Sequence, residues 1–294
     1  MMTKSMFWWL LATLMSVAQA TTLNDGLSHV VDFATDQIIV RNNFFGEATS
    51  VTIASGGLVQ WLEAHEDSRI SIAGGEVQPT LKAWDRSQIG VFAGSLGTVY
   101  ASNNCVVEVY DGSTGELRLA DNSKIVVHEG TVRGSNNYVD GYSTLIINGG
   151  TCKGYINCDD NSQVEIAGGI IEDYRGLVLH GSSSARISGG SVWGEWEIHG
   201  SSALTVIGND FQIDGRDVPY GIFAVGERDY IEGTLSGTLA NGDPIDQHFI
   251  ANENGSLVLA PIPEPCTLAL LALGGLAVVR RRQPPAVAYH ARWR

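Results

Sequence analysis

One short phrase recurs through the middle of this 294-residue chain and limits what the chain can fold into. It is clearest in Ser162-Gln-Val-Glu-Ile-Ala-Gly-Gly169 and Ser183-Ser-Ala-Arg-Ile-Ser-Gly-Gly190. A small or polar anchor is followed by two apolar residues two apart, then by a glycine pair or its equivalent. The anchor falls at Thr49, Ser68, Ser87, Cys105, Ser123, Ser143, Ser162, Ser183 and Ser202, a spacing of about nineteen residues. A fixed period near twenty is the signature of a solenoid.

Within each repeat apolar and polar positions alternate, which is strand rather than helix periodicity. One apolar column stands two residues after the anchor, as in Leu145, Val164 and Ala185. A second stands four after, as in Ile147, Ile166 and Ile187. A third falls nine after it, at Leu58, Val77, Leu96, Val132, Cys152, Ile171, Val192 and Phe211, with Thr114 the exception. Two more lie upstream of the next anchor, as in Ile156 with Cys158 and Leu177 with Leu179. Five inward side chains cannot offset the entropy of ordering nineteen residues, so coils must stack and share one core. The pattern predicts an all-β, single-stranded, right-handed parallel β-helix of about nine 19-residue coils, capped at both ends. At about 4.8 Å per coil the rod is roughly 40 Å long. An antiparallel β-sandwich with regular turns is disfavoured, because its strands have no reason to keep three apolar columns at one constant interval.

The flanks break the pattern. Met1–Ala20 has Lys4, an apolar run over Met6–Met15, and Ala18-Gln19-Ala20 in the small-x-small form of a signal-peptidase site. It reads as a cleavable secretory signal. Residues 21–46 follow the repeat poorly and are expected to cap the first coil, residues 47–211 form the repeats, and residues 212–260 supply a C-terminal β cap. In that cap Asn241-Gly242 lies between Leu235, Leu239 and Ile245, Phe249 as a hairpin turn signal. Composition then changes at Pro263-Glu264-Pro265. The apolar Thr267–Val279 follows, then Arg280-Arg281-Arg282 and a tail over residues 283–294. Thirteen apolar residues reach about 20 Å as a helix, short of the roughly 30 Å hydrocarbon core. A basic cluster beyond such a run stays cytoplasmic. This is a marginal, transient membrane anchor.

The tripeptide Pro263-Glu264-Pro265, the apolar run and Arg280, Arg281 and Arg282, in that order, resemble the PEP-CTERM sorting signal over residues 261–282. The resemblance implies export and a pause in the inner membrane. Processing near Pro263-Glu264-Pro265 by an exosortase-type enzyme would follow, with release to the surface or exopolysaccharide matrix of a Gram-negative-type bacterium. Such signals generally stop soon after the arginines, whereas Gln283–Arg294 continues here. The repeats also resemble the passenger-like β-solenoids that accompany this signal.

Charge and cysteines narrow the function classes. Thr21–Pro265 holds 12 of the 18 Lys and Arg and all 32 Asp and Glu, a net charge of −20. An acidic body of this kind does not seek nucleic acid. Cys105, Cys152 and Cys158 lie in the body and Cys266 near the end. They read as small buried hydrophobes, with a Cys152–Cys158 disulfide the open alternative. No Cys/His spacing suits zinc, and no cofactor is expected.

Reactive groups in a solenoid must share one offset in adjacent coils. The best such column stands three residues before the anchor: Asp140, Asp159, His180 and His199. Two carboxylates beside two imidazoles form a candidate metal or acid–base set. The same column holds His65, Trp84 and Ala120, which favours a solvated turn. A second outward column, five before the anchor, contains Tyr100, Arg118 and Tyr138. The sequence therefore supports an exported, non-catalytic surface or matrix solenoid. The alternative is an extracellular enzyme that binds or cuts polysaccharide along its flank.

Overall fold

A computed structural model describes residues 20–224 and 230–263, and all regular structure among them is β. From Val106 to Ile198 each coil has three strands in chain order, whereas Arg69–Ala83 and Gln88–Ala101 each run as one long strand. One coil is Thr144–Ile147, Thr151–Cys152 and Tyr155–Cys158; the next is Gln163–Ile166, Ile170–Ile171 and Leu177–Leu179. Pairing between coils is parallel throughout: Leu145 faces Val164, Cys152 faces Ile171, and Cys158 faces Leu179. Continued in both directions, three such files build a β-solenoid of about ten coils.

The period-two alternation explains the core. Alternate strand residues point to opposite faces, so Val164 and Ile166 are buried while Gln163 and Glu165 stand outside. Because these coils keep the same register, Ile147 lies on Ile166 and Ile166 on Ile187. The anchor column is buried as well, from Thr49 to Ser202. Glycine is needed at the corner after the first strand. Gly169 has φ +80°, and a Cβ there would stand 2.8 Å from the Gly149 and Gly150 carbonyl oxygens of the coil below. The backbones approach too closely for any side chain.

One expected core position moves by a residue. Leu58 is 39% exposed, and Val59 fills the inward place opposite Val77. Ile53 faces Ile72 and Val59 faces Val77, so this corner holds one residue more than the next, which shifts the frame of the third column. Thr114, the polar exception in that column, is fully buried opposite Val132. The three described cysteines are free and buried. Cys152 and Cys158 belong to different strand files and are not bonded to each other.

At the N-terminal end the ladder continues below Thr49. Ser28–Val31 lies parallel to Ser50–Ile53, Ala34–Val40 to Leu58–Ala64, and Ala20–Leu23 to Gln37–Val40. Val31, Ile38 and Val40 point inward as in later coils. Ala20 opens the first described strand; Ala18 and the rest of the expected signal lie outside the described residues.

After Ala203–Ile213 the chain leaves the regular path. Tyr230–Leu239 and Pro244–Asn252 form an antiparallel hairpin. At its Asn241-Gly242 tip the Leu239 N–H donates to the Asp243 carbonyl at 2.8 Å. The returning strand lies parallel on Trp196–Ile198, burying Phe249 against Trp196. Ser256–Pro261 then stacks on Ala203–Gly208, and Gly221–Ala224 pairs antiparallel to it. No helix among the described residues is long and apolar enough to cross a membrane. Of the expected sorting signal only residues 261–263 are described; Glu264, Pro265, Thr267–Val279 and Arg280–Arg282 lie outside the described residues.

Candidate functional site

The turn before each anchor holds the column expected from sequence. The residue two before the anchor adopts a left-handed backbone: Glu66, Asp85, Asn103, Asp121 and Asp160 have φ between 54° and 62°, with Gly141 and Gly181 at the equivalent places. Short polar residues tolerate this conformation best because their side chains bond locally. Adjacent turns also bond to each other. Glu66 N–H donates to Asp85 Oδ2 at 3.0 Å, Asn103 Nδ2 to Asp85 Oδ1 at 3.3 Å, and Asn42 N–H to Glu66 Oε2 at 2.7 Å. Ser102 donates its hydroxyl to Asp121.

Asp140, Asp159, His180 and His199 occupy one turn position in successive coils. Their backbone N–H groups donate to Leu119, Val139, Cys158 and Leu179 of the preceding coils. The side chains do different things there. Asp140 Oδ1 accepts the Gly141 N–H at 2.7 Å and Asp159 Oδ1 the Asp160 N–H at 2.8 Å, so each carboxylate braces its own turn. Hydrogen bonding with Asp140 and repulsion from its charge raise the Asp160 carboxyl above its ordinary range. The His180 and His199 rings stack at 4.8 Å and 11°. His199 Nδ1 lies 2.6 Å from Asn252 Oδ1 and Nε2 lies 3.1 Å from Glu197 Oε2, so both its nitrogens are engaged. Among the described residues no group of three or more His, Cys, Asp or Glu is placed to hold a metal ion.

The second expected column forms a cation–π sandwich. Arg118 Cζ stands 5.5 Å from the Tyr100 ring and 5.3 Å from the Tyr138 ring, and its Nη2 donates to Glu116 Oε2 at 2.9 Å. These groups satisfy one another, so the file works as a clamp across three coils.

A third outward file was not singled out in the sequence. Phe92, Tyr110 and His128 each stand five residues after an anchor and stack face to face. Centroids are 4.9 Å apart at 3° and then 4.7 Å apart at 7°. Tyr110 donates its hydroxyl to Glu108 Oε2 at 2.7 Å. Beside this file lies a cleft of about 400 Å³, with Arg69, Gln88, Gly90, Phe92, Glu108 and Tyr110 on its walls. Gly90 creates the gap. A Cβ there would stand 2.8 Å from Phe92 Cε2, so the ring leans over the missing side chain. The equal offset from Ser87, Cys105 and Ser123 was the available signal, masked by variety in residue type.

Residues 261–283 match the PEP-CTERM protein-sorting motif. No curated protein and no solved structure matches the chain. The motif implies an exported protein, held transiently in the membrane by its C-terminus and processed by exosortase-type machinery. The exported body is a β-solenoid.

Proposed function

We propose that this chain is a non-catalytic surface or extracellular-matrix solenoid of a Gram-negative-type envelope. On this reading Met1–Ala20 is the leader removed on export, and Gln283–Arg294 is the tail left on the cytoplasmic side. The reading rests chiefly on a sorting motif attached to a rod whose polar files are spent on the rod itself. The carboxylates of Asp140 and Asp159 brace turns, His199 is held on both sides, and Arg118 is clamped. A general acid or base needs a free proton-transfer atom aimed at substrate, and at His199 and Arg118 those atoms are already engaged.

Fractionation of a tagged chain tests the address. The intact protein is expected in the surface and matrix fractions. With Pro263, Glu264 and Pro265 replaced by alanine it should remain with the inner membrane. Identical fractionation of the two forms overturns the reading. Alanine at Asp140, Asp159, His180 and His199 together tests the role. Depolymerisation of isolated exopolysaccharide by the parent chain, lost in this variant, would establish an enzyme instead.

A further inference from the structure

We propose that the cleft beside Phe92 and Tyr110 binds a pyranose ring of an extended polysaccharide, seated on the uncovered face of Phe92. The proposal deepens the matrix reading, and rests on it for the presence of such a polymer, by naming the partner and its place on the rod.

The geometry begins with where the aromatic file stops. Ile72 pairs with Val91 and Ala73 with Ala93, so Phe92 sits on a bulge with no counterpart in the preceding coil. Tyr110 covers one Phe92 face at 4.9 Å. Among the described residues the other face meets no ring, and Phe92 is 51% exposed. The cleft extends from it to Arg69 and Ile70 of the preceding coil. A flat group here continues the stack by one member at the spacing that the coils already set.

Pyranose chemistry fits this place. The axial C–H groups of a sugar ring present a weakly positive face, which suits the negative face of an aromatic ring. Sugar hydroxyls need donors and acceptors around the rim, and the cleft supplies both. Among the described residues the Arg69 guanidinium has no hydrogen-bond or ion-pair partner, which leaves its donors free in an otherwise acidic body. Gln88 offers a donor and an acceptor. Glu108 is oriented by the Tyr110 hydroxyl through Oε2, leaving Oε1 as an acceptor 4.0 Å from His128 Nε2. An aromatic wall with a few fixed polar groups in a cleft of this volume is a usual small-ligand arrangement. The cleft is open along the flank, so it accepts a ring within a chain as readily as a chain end.

Affinity electrophoresis of the full chain in mild detergent tests the proposal, with a soluble neutral glucan in one gel and a polyuronate in another. Wild type is expected to be retarded by at least one polymer, and Phe92→Ala to weaken that retardation at least tenfold. Gly90→Ser, which displaces the Phe92 ring, should weaken it similarly. Arg69→Gln should weaken it most in the polyuronate gel if the sugar is acidic, and equally or less in the glucan gel if it is neutral. Unchanged melting temperatures show that the variants are folded; if Phe92→Ala is not, Arg69→Gln decides. An unretarded wild type in both gels overturns the proposal, as does equal retardation of wild type and folded variants. Neither result bears on the fractionation test, which reads where the protein goes.

Discussion

The side-chain oxygen of Asn137 accepts the backbone N–H of Leu117 at 3.0 Å inside the solenoid core. Asn137 sits in an inward column otherwise filled by residues such as Ile156 and Leu177, and it is completely buried. Its Nδ2 reaches the Tyr155 carbonyl and Cys152 Sγ, each at 3.3 Å. The amide bridges three coils, and its bond to Leu117 stands where the ladder between those two coils lacks direct pairing. Asn137→Leu keeps the volume but strands the Leu117 N–H, and should cost about 1–3 kcal/mol in urea unfolding. Stability equal to wild type would show that the bridge contributes nothing.

Stacked isoleucines give the second test. Ile166 is packed between Ile147 and Ile187, so Ile166→Ala should cost about 2–5 kcal/mol and Ile166→Val about 0.5–1.5 kcal/mol. Glu165, on the outside of the same strand, should change stability by less than about 0.5 kcal/mol when replaced by alanine. Equal effects at both positions would contradict the assigned inward face.

The buried thiols should be silent in the folded protein. Burial pushes Cys105 and Cys152 up to about 11 and Cys158 higher still, while the thiolate is the reactive form. In a Cys266→Ser background, a thiol reagent at pH 8 should label none of the three until denaturant is added. A raised thiol pKa stabilises the fold below the unfolded value near about 8.5. Stability should therefore decline as pH rises beyond that value, and the decline should continue through the folded values. Rapid native labelling, or a flat profile between pH 8 and 11, would exclude this.

A surface ion pair sets a limit at the acid side. Arg86 Nε donates to Asp67 Oδ1 at 2.6 Å, and Asn42 Nδ2 donates to Oδ2 at 3.0 Å. Together, Arg86 first, they lower the Asp67 carboxyl to about 2. The stability that it lends is present above the unfolded carboxyl value near about 3.9 and is lost as pH falls through the folded one. Carbon-detected NMR titration should show the Asp67 midpoint rising toward the ordinary range in Arg86→Ala. No shift in that variant would mean that the pair is open in solution.

The regular coils were legible because inward alternation, a polar anchor and glycine corners recur at one offset; Ile147, Ile166 and Ile187 could be placed without coordinates. Leu58 was misplaced by one residue because the corner between Ile53 and Val59 holds one residue more than that between Ile72 and Val77, which leaves no mark in side-chain type. The first coils, near Val31 and Val40, were hard to see because the turn around residues 41–48 is longer than its successors. Around the anchor, offsets predicted that His180 and His199 share a file, but not that Asn252 would arrive from a strand 53 residues on. That the aromatic file stops at Phe92 depends on the bulge opposite Ala73, a backbone event that periodicity does not encode.

The lower end of the stack is built from strands in plain parallel register, whereas the upper end is finished by antiparallel segments that turn back on the last coil. Each winding between them touches chiefly its immediate neighbours. A gene encoding such a chain can gain or lose one whole nineteen-residue unit by duplication or deletion, and the two ends would still meet compatible surfaces. The length of the solenoid is then adjustable in increments of about 4.8 Å, with the C-terminal sorting motif untouched.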